Sequence, residues 1–233
     1  MKQKQKILVI AAHPDDEVLG CGGTIAKHAI SGDNVHIVIL AEGMTSRSKK
    51  RDRERFKAEL QNLSKSAKTA NDILGVNSLK LMDFPDNRID SLDRLDVIKT
   101  IEELVNEYKP DILYTHHIGD VNIDHRRIHE AVVTACRPIP GNHFVKQLLF
   151  FETASSTEYQ VSGSAPPFVP NWFVDITNTL DRKLRALEAY DSEMRTWPHA
   201  RSIKAVEYLA HWRGANIGVE AAEAFILGRN IEK

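Results

Sequence analysis

Short runs of β-branched and aliphatic residues alternate with longer stretches whose apolar positions recur every three or four residues. This is the rhythm of βαβ units built around a parallel sheet. Residues 7–11, 35–40, 79–82, 112–115 and 147–151 read as the first five strands. Helical periodicity fills the intervals at 19–30, at a long segment that follows the charged stretch 46–55 and ends near 74, at 92–108 and at 123–136. Gly75 sits where a C-cap belongs, and Pro110, Pro138 and Pro140 stop the later helices. Beyond residue 151 the rhythm loosens: the segment 155–170 is rich in Ser, Gly and Pro and reads as a surface loop. A short strand at 172–174, helices at 178–190 and 201–212, and a terminal piece at 224–227 follow. This tail is thin in apolar residues, so it is expected to pack on the sheet. The expectation is a single α/β domain over residues 1–233, Rossmann-like and doubly wound. Its sheet is mostly parallel, with helices on both faces and a C-terminal helical extension.

Composition narrows the function more than the fold. Lys and Arg number 31 against 32 Asp and Glu, a net charge of −1, which leaves no electrostatic footprint for nucleic acid or an anionic membrane. A hydrophobic content of 42% with 27% charged residues excludes disorder as the main state. No apolar run approaches the ~20 residues of a membrane span. The basic opening followed by Ile7 imitates a secretory leader, but the apolar run is too short before His13 and carries no cleavage site. Cys21 and Cys136 are too few for a disulfide framework, and a cytoplasmic setting is expected. A homo-oligomer stays open.

In a doubly wound sheet the ligand crevice lies at the carboxyl ends of the strands where their order reverses, here between strands 1 and 4. The two most polar clusters of the chain follow those strands: His13-Pro14-Asp15-Asp16-Glu17, and the segment 116–125 from His116 to His125. A catalytic zinc site takes three nitrogen or oxygen donors from several elements and keeps one position open. His13 and Asp16, three apart across a turn set by Pro14, can face one ion, with His125 as third ligand and Asp124 beside it as the group that orients it. Asp15 then points elsewhere and is free to act as general base. Such a donor set suits Zn2+ and equally Fe2+ or another divalent metal. An Asp-Asp pair after a strand can also serve merely as a helix cap; it is the pairing of the two clusters that favours a metal site. His129, one turn beyond His125, is expected to pack rather than to ligate.

The run from His13 through Asp15, Asp16, Glu17, Gly20, Cys21, Gly22 and Gly23 to Thr24 resembles the first motif of the LmbE-like or PIG-L family of metal-dependent N-deacetylases, and Asp124-His125 resembles its second. The resemblance extends more loosely to the segments 197–202 and 222–225. It implies an enzyme that removes acetyl from N-acetylglucosamine-type groups, with zinc on His13, Asp16 and His125 and Asp15 as base. Many members of that family carry a histidine where this chain has Asn122, so Asn122, His116 and His117 compete as helper to the oxyanion. Arg47, Arg51, Arg53 and Arg55 compete for the position of a substrate-side arginine. Glu152, His199 and Arg201 are candidate contacts for a small-molecule amino-sugar substrate.

Two other readings share much of this evidence. One is a metal-dependent hydrolase of a non-sugar amide. The other is a nucleotide-binding module without hydrolysis, which Gly20, Gly22, Gly23 and Glu42 would serve; against it, Ile25 stands where a dinucleotide loop needs glycine.

Overall fold

The computed structural model describes residues 4–140 and 144–232. Seven strands form one sheet: β1 (Lys6–Ala11), β2 (Asn34–Ala41), β3 (Ser78–Phe84), β4 (Ile112–His116), β5 (Gln147–Phe151), β6 (Trp172–Asp175) and β7 (Ala222–Asn230). Their order is β3-β2-β1-β4-β5-β7-β6. The first five pair in parallel, and β7 runs antiparallel to both β5 and β6. The chain leaves β1 for β2 on one side and later returns to β4 on the other. That reversal opens a crevice above the carboxyl ends of β1 and β4.

The helices are α1 (Asp16–Ile30), α2 (Lys57–Leu74), α3 (Arg94–Tyr108), α4 (Ile123–Ala135), α5 (Leu180–Glu188) and α6 (Ile203–Ala215). Residues 7–12 are fully buried, as a strand covered on both faces requires. Alternate side chains sort into two cores: Ile7, Val9 and Ala11 join residues of α1, α2 and α5, whereas Leu8, Ile10 and Ala12 join those of α3 and α4. Gly75 takes φ 83 at the end of α2, as its C-cap position demands.

Two differences from the sequence reading have physical causes. Helix α1 begins at Asp16 rather than at residue 19, because Val18 and Leu19 amides already bond back to the Asp15 carbonyl. The terminal piece is longer than its apolar run suggested, a nine-residue strand inserted between β5 and β6. Its anchor is polar. Helix α1 kinks at Cys21 (φ −148, ψ 24), freeing backbone groups that the β7 and α5 side chains then satisfy. Glu223 accepts from the amides of Gly23 (2.9 Å) and Thr24 (2.7 Å), and Lys183 donates to the Leu19 carbonyl (2.9 Å) and to Glu223 (2.6 Å).

The glycines of α1 serve packing. A Cβ on Gly20 would meet the Phe151 ring at 2.2 Å, and one on Gly23 would meet Ile176 at 2.7 Å. Gly20→Ala is expected to cost about 1–3 kcal/mol of stability through this overpacking. Urea unfolding checks it; an unchanged midpoint would show that the ring yields freely.

Candidate metal and catalytic site

The turn after β1 is built from its own residues. His13 donates its amide to Asp16 Oδ2 (2.8 Å), and the Asp16 amide returns to the His13 carbonyl (3.2 Å). This brings the His13 imidazole and the Asp16 carboxylate to one side, with Nδ1 and Oδ2 3.3 Å apart. His125, on the first turn of α4, places Nε2 3.1 Å from the same oxygen. One ligand atom from each of the three lies within 4.8 Å of the others.

This donor set fits a divalent metal. Two imidazoles and a carboxylate are a familiar zinc set. Neither ring nitrogen of the buried His125 has a hydrogen-bond partner among the described residues, so a lone pair is available. The cluster pairs opposite charges: its carboxylates favour positive charge on the imidazoles, and the imidazoles favour negative charge on Asp16. Burial opposes charge on His125, but Asp16 and Asp120 raise it to about 9. Burial likewise disfavours charge on His13 and Asp16; yet Asp124 and Asp16 hold His13 well above its ordinary value, and His125 holds Asp16 well below its own.

Asp15 occupies the N-cap position of α1 at φ 113, a strained conformation for a residue with a side chain, and its carboxylate makes no cap hydrogen bond. Capping therefore does not explain it. The side chain is 1% exposed. Its Oδ2 accepts from Arg201 Nη1 (3.0 Å), while Oδ1 has no partner among the described residues. Burial, against the opposing charge of Arg201, pushes this carboxyl well above its usual range. A carboxylate with one fixed and one free oxygen, and a raised proton affinity, is suited to general-base work. Below it, Glu17 accepts the Asp15 amide (3.1 Å) and is itself bonded by Tyr190 (2.7 Å) and Asn71 (2.9 Å).

His13, Asp15, Asp16 and His125 line an open cleft, shared with Arg47, Asp86, Asn87, Asn122, Glu193 and Arg201. Of the four competing arginines, Arg47 lines the cleft and the other three do not. Arg51 and Arg53 are spent on Glu42 and Asp83, and Arg55 lies over Phe56.

Several expected assignments change. Asp124 does not orient His125: its carboxylate lies 3.1 Å from His13 Nε2 and accepts the amides of Asn87 (2.7 Å) and Ile89 (2.9 Å). Asn122 lines the cleft, yet its Oδ1 caps α4 at the Asp124 amide (2.8 Å) and its Nδ2 donates to Asn87 (2.9 Å), so it is a helix cap before it is an oxyanion donor. Asn122→Ala should cost about 1 kcal/mol of stability, and Asn122→Asp should restore it, both read from thermal unfolding. His116 and His117 do not take over the oxyanion. His116 Nε2 accepts from the Ala12 amide (2.9 Å), and His117 Nε2 bonds the Pro166 carbonyl (3.0 Å).

Glu152 stands outside the cleft, in a bidentate pair with Arg213 (2.8 and 2.7 Å). His199 also stays out, because its Nδ1 accepts the Arg201 amide (3.0 Å) and so shapes the turn that delivers Arg201. His129 bonds the His116 carbonyl (2.9 Å), consistent with a packing role. Glu42, bound by Arg51 and Thr45, is not free for a ribose.

Asp120, Asp86, Asn87 and Glu193 were not singled out from sequence. Asp120 alone carried a usable signal there, as a carboxylate five residues before His125 in the same polar loop.

Comparison with known proteins places the chain in a family. Residues 8–136 match the family described as PIG-L, GlcNAc-PI de-N-acetylase. A probable N-acetyl-alpha-D-glucosaminyl L-malate deacetylase 2 of Bacillus anthracis is 27% identical over 198 residues, covering 84% of each chain. A 4-oxalmesaconate hydratase of Pseudomonas putida is 24% identical, covering 98% of this chain and 89% of its own. The fold is shared with N,N'-diacetylchitobiose deacetylase of Pyrococcus horikoshii, at a TM-score of 0.76 and 22% identity over 97% of this chain and 84% of that one.

Proposed function

Because the chain belongs to the PIG-L family of N-deacetylase enzymes, we propose that it hydrolyses the N-acetyl group of an N-acetylglucosamine-type sugar or conjugate, releasing acetate and a free amine. His13, Asp16 and His125 would hold zinc, or iron in its place. The observation that carries this reading is the free, buried Oδ1 of Asp15 beside the three-donor cluster in one cleft.

A bound divalent ion supplies positive charge that polarises an acetyl carbonyl and acidifies water. Asp15 accepts the proton of the attacking water on Oδ1, and Arg201 holds its other oxygen still. The raised proton affinity of Asp15 lets it keep that proton until the amide nitrogen needs it, so that the C–N bond breaks to a neutral amine. Asp124 fixes the ring of His13 from the far side. Arg47 and Glu193, paired across the cleft mouth (3.2 Å), face the remainder of the substrate.

The two free, buried cysteines support a reducing, cytoplasmic setting. None of the described helices is long and apolar enough to cross a membrane.

A second reading comes from the hydratase relative: the same base and ion would serve addition of water to a carbon–carbon double bond. Incubating zinc-loaded protein with N-acetylglucosamine and a panel of its glycosides should yield acetate and amine in equal amounts. No acetate from any member, together with loss of absorbance from an unsaturated dicarboxylic acid, would overturn the deacetylase reading in favour of the hydratase.

A further inference from the structure

The turn that follows β5, residues 153–158, meets the metal cluster from behind, through Asp120. Asp120 is fully buried, and both of its oxygens are filled with donors. Ser156 Oγ and the Asn122 amide (2.8 Å) donate to Oδ1, and Thr157 Oγ1 donates to Oδ2 (2.9 Å). Oδ2 also lies 3.1 Å from His125 Nδ1, an oblique ion contact rather than a hydrogen bond. The two ring nitrogens thus face two carboxylates, Nδ1 towards Asp120 and Nε2 towards Asp16 (3.1 Å each). A metal on Nε2 would leave the ring proton on Nδ1, the nitrogen that faces Asp120.

The turn is itself preset. Glu158 accepts the amides of Ser155 (2.6 Å) and Ser156 (3.2 Å), and Thr157 Oγ1 accepts the Thr153 amide (2.8 Å). We infer that Ser156 and Thr157 are positioning residues of the metal site: by fixing Asp120 behind His125, they hold the imidazole with Nε2 turned towards Asp16 and His13. The inference rests on the metal-site reading above and deepens it. Partners that orient a ligating histidine typically contribute ~10–100-fold in metal affinity.

Ser155, in the same turn, supplies the control. Its hydroxyl meets Arg201 Nε (2.8 Å) and not Asp120. Zinc affinity is measured by competition with a chromophoric chelator, with no substrate present, on the parent chain and on Ser156→Ala, Thr157→Val, Thr157→Ser, Asp120→Asn and Ser155→Ala. The expected result is ~10–100-fold weaker zinc binding in Ser156→Ala, Thr157→Val and Asp120→Asn, near-parental affinity in Thr157→Ser, which keeps the hydroxyl, and parental affinity in Ser155→Ala. Thermal unfolding of each apo protein separates a variant that binds weakly from one that fails to fold.

Parental affinity in folded Ser156→Ala and Asp120→Asn would overturn the inference, as would an equal loss in Ser155→Ala, which would mark general loosening of the turn. If the parent chain itself bound no zinc, the metal-site reading would fall and this inference with it. Parental zinc binding that none of the variants weakened would overturn the inference alone.

Discussion

Asp15→Asn keeps its metal and loses acetate release by ~10²–10⁴-fold, the scale of a missing general base. The substitution is nearly isosteric. An amide oxygen can still accept from Arg201, so the strained turn at φ 113 keeps its clamp, and the neighbouring Asp16 is untouched. What disappears is the ability of the second atom to take a proton. Metal content by elemental analysis and kcat on the best substrate of the panel check the two halves separately. Turnover near that of the parent would move the base to another group; lost metal would show that Asp15 serves the ion instead.

His125→Ala abolishes stoichiometric metal binding, and activity falls with it. His125 is the donor that joins β4's end of the crevice to β1's, and its Nε2, 3.1 Å from Asp16, is buried without a hydrogen-bond partner among the described residues. Two donors on one tight turn remain, a weaker chelate. The same variant offers a readout without substrate. Zinc at 100 times its Kd should stabilise the parent by ~2.7 kcal/mol, and should shift the melting temperature of His125→Ala little or not at all. An undiminished shift in a folded variant would contradict the ligand assignment.

The parts of this fold legible from sequence are those governed by local pattern. The five parallel strands and their helices follow from alternation, helical periodicity and punctuation by glycine and proline, which act within a few residues. The course of β7 did not show, because its last third is Gly228-Arg229-Asn230 and because its anchor, the bonds of Glu223 to the amides of the kinked α1, is a contact across 199–200 residues.

The site divides in the same way. His13, Asp15 and Asp16 share one turn, and His125 follows the strand next to theirs, so topology alone brought them together. The arginine at the cleft could be sorted only by seeing which of its competitors Glu42 and Asp83 had already engaged. Glu152 had the right position at the end of a strand but the wrong neighbour, Arg213, and that pairing is invisible along the chain. Adjacency suggested Asp124 as the partner of His125, and Asp120 holds that place instead. On the first turn of a helix, consecutive side chains diverge by about 100°, so Asp124 turns to His13, and the more distant Asp120 comes to lie behind His125.

The central claim is that this chain cleaves an acetamide using a metal held by His13, Asp16 and His125. It is tested most directly by carbon NMR on a substrate carrying a ¹³C-labelled acetyl group, with protein stripped by chelator and with the same protein restored with zinc. Labelled acetate should appear in the restored sample at the rate of the untreated protein and be all but absent from the stripped one. Equal release by both samples, or none after restoration of a folded protein that has regained its zinc, would contradict the account.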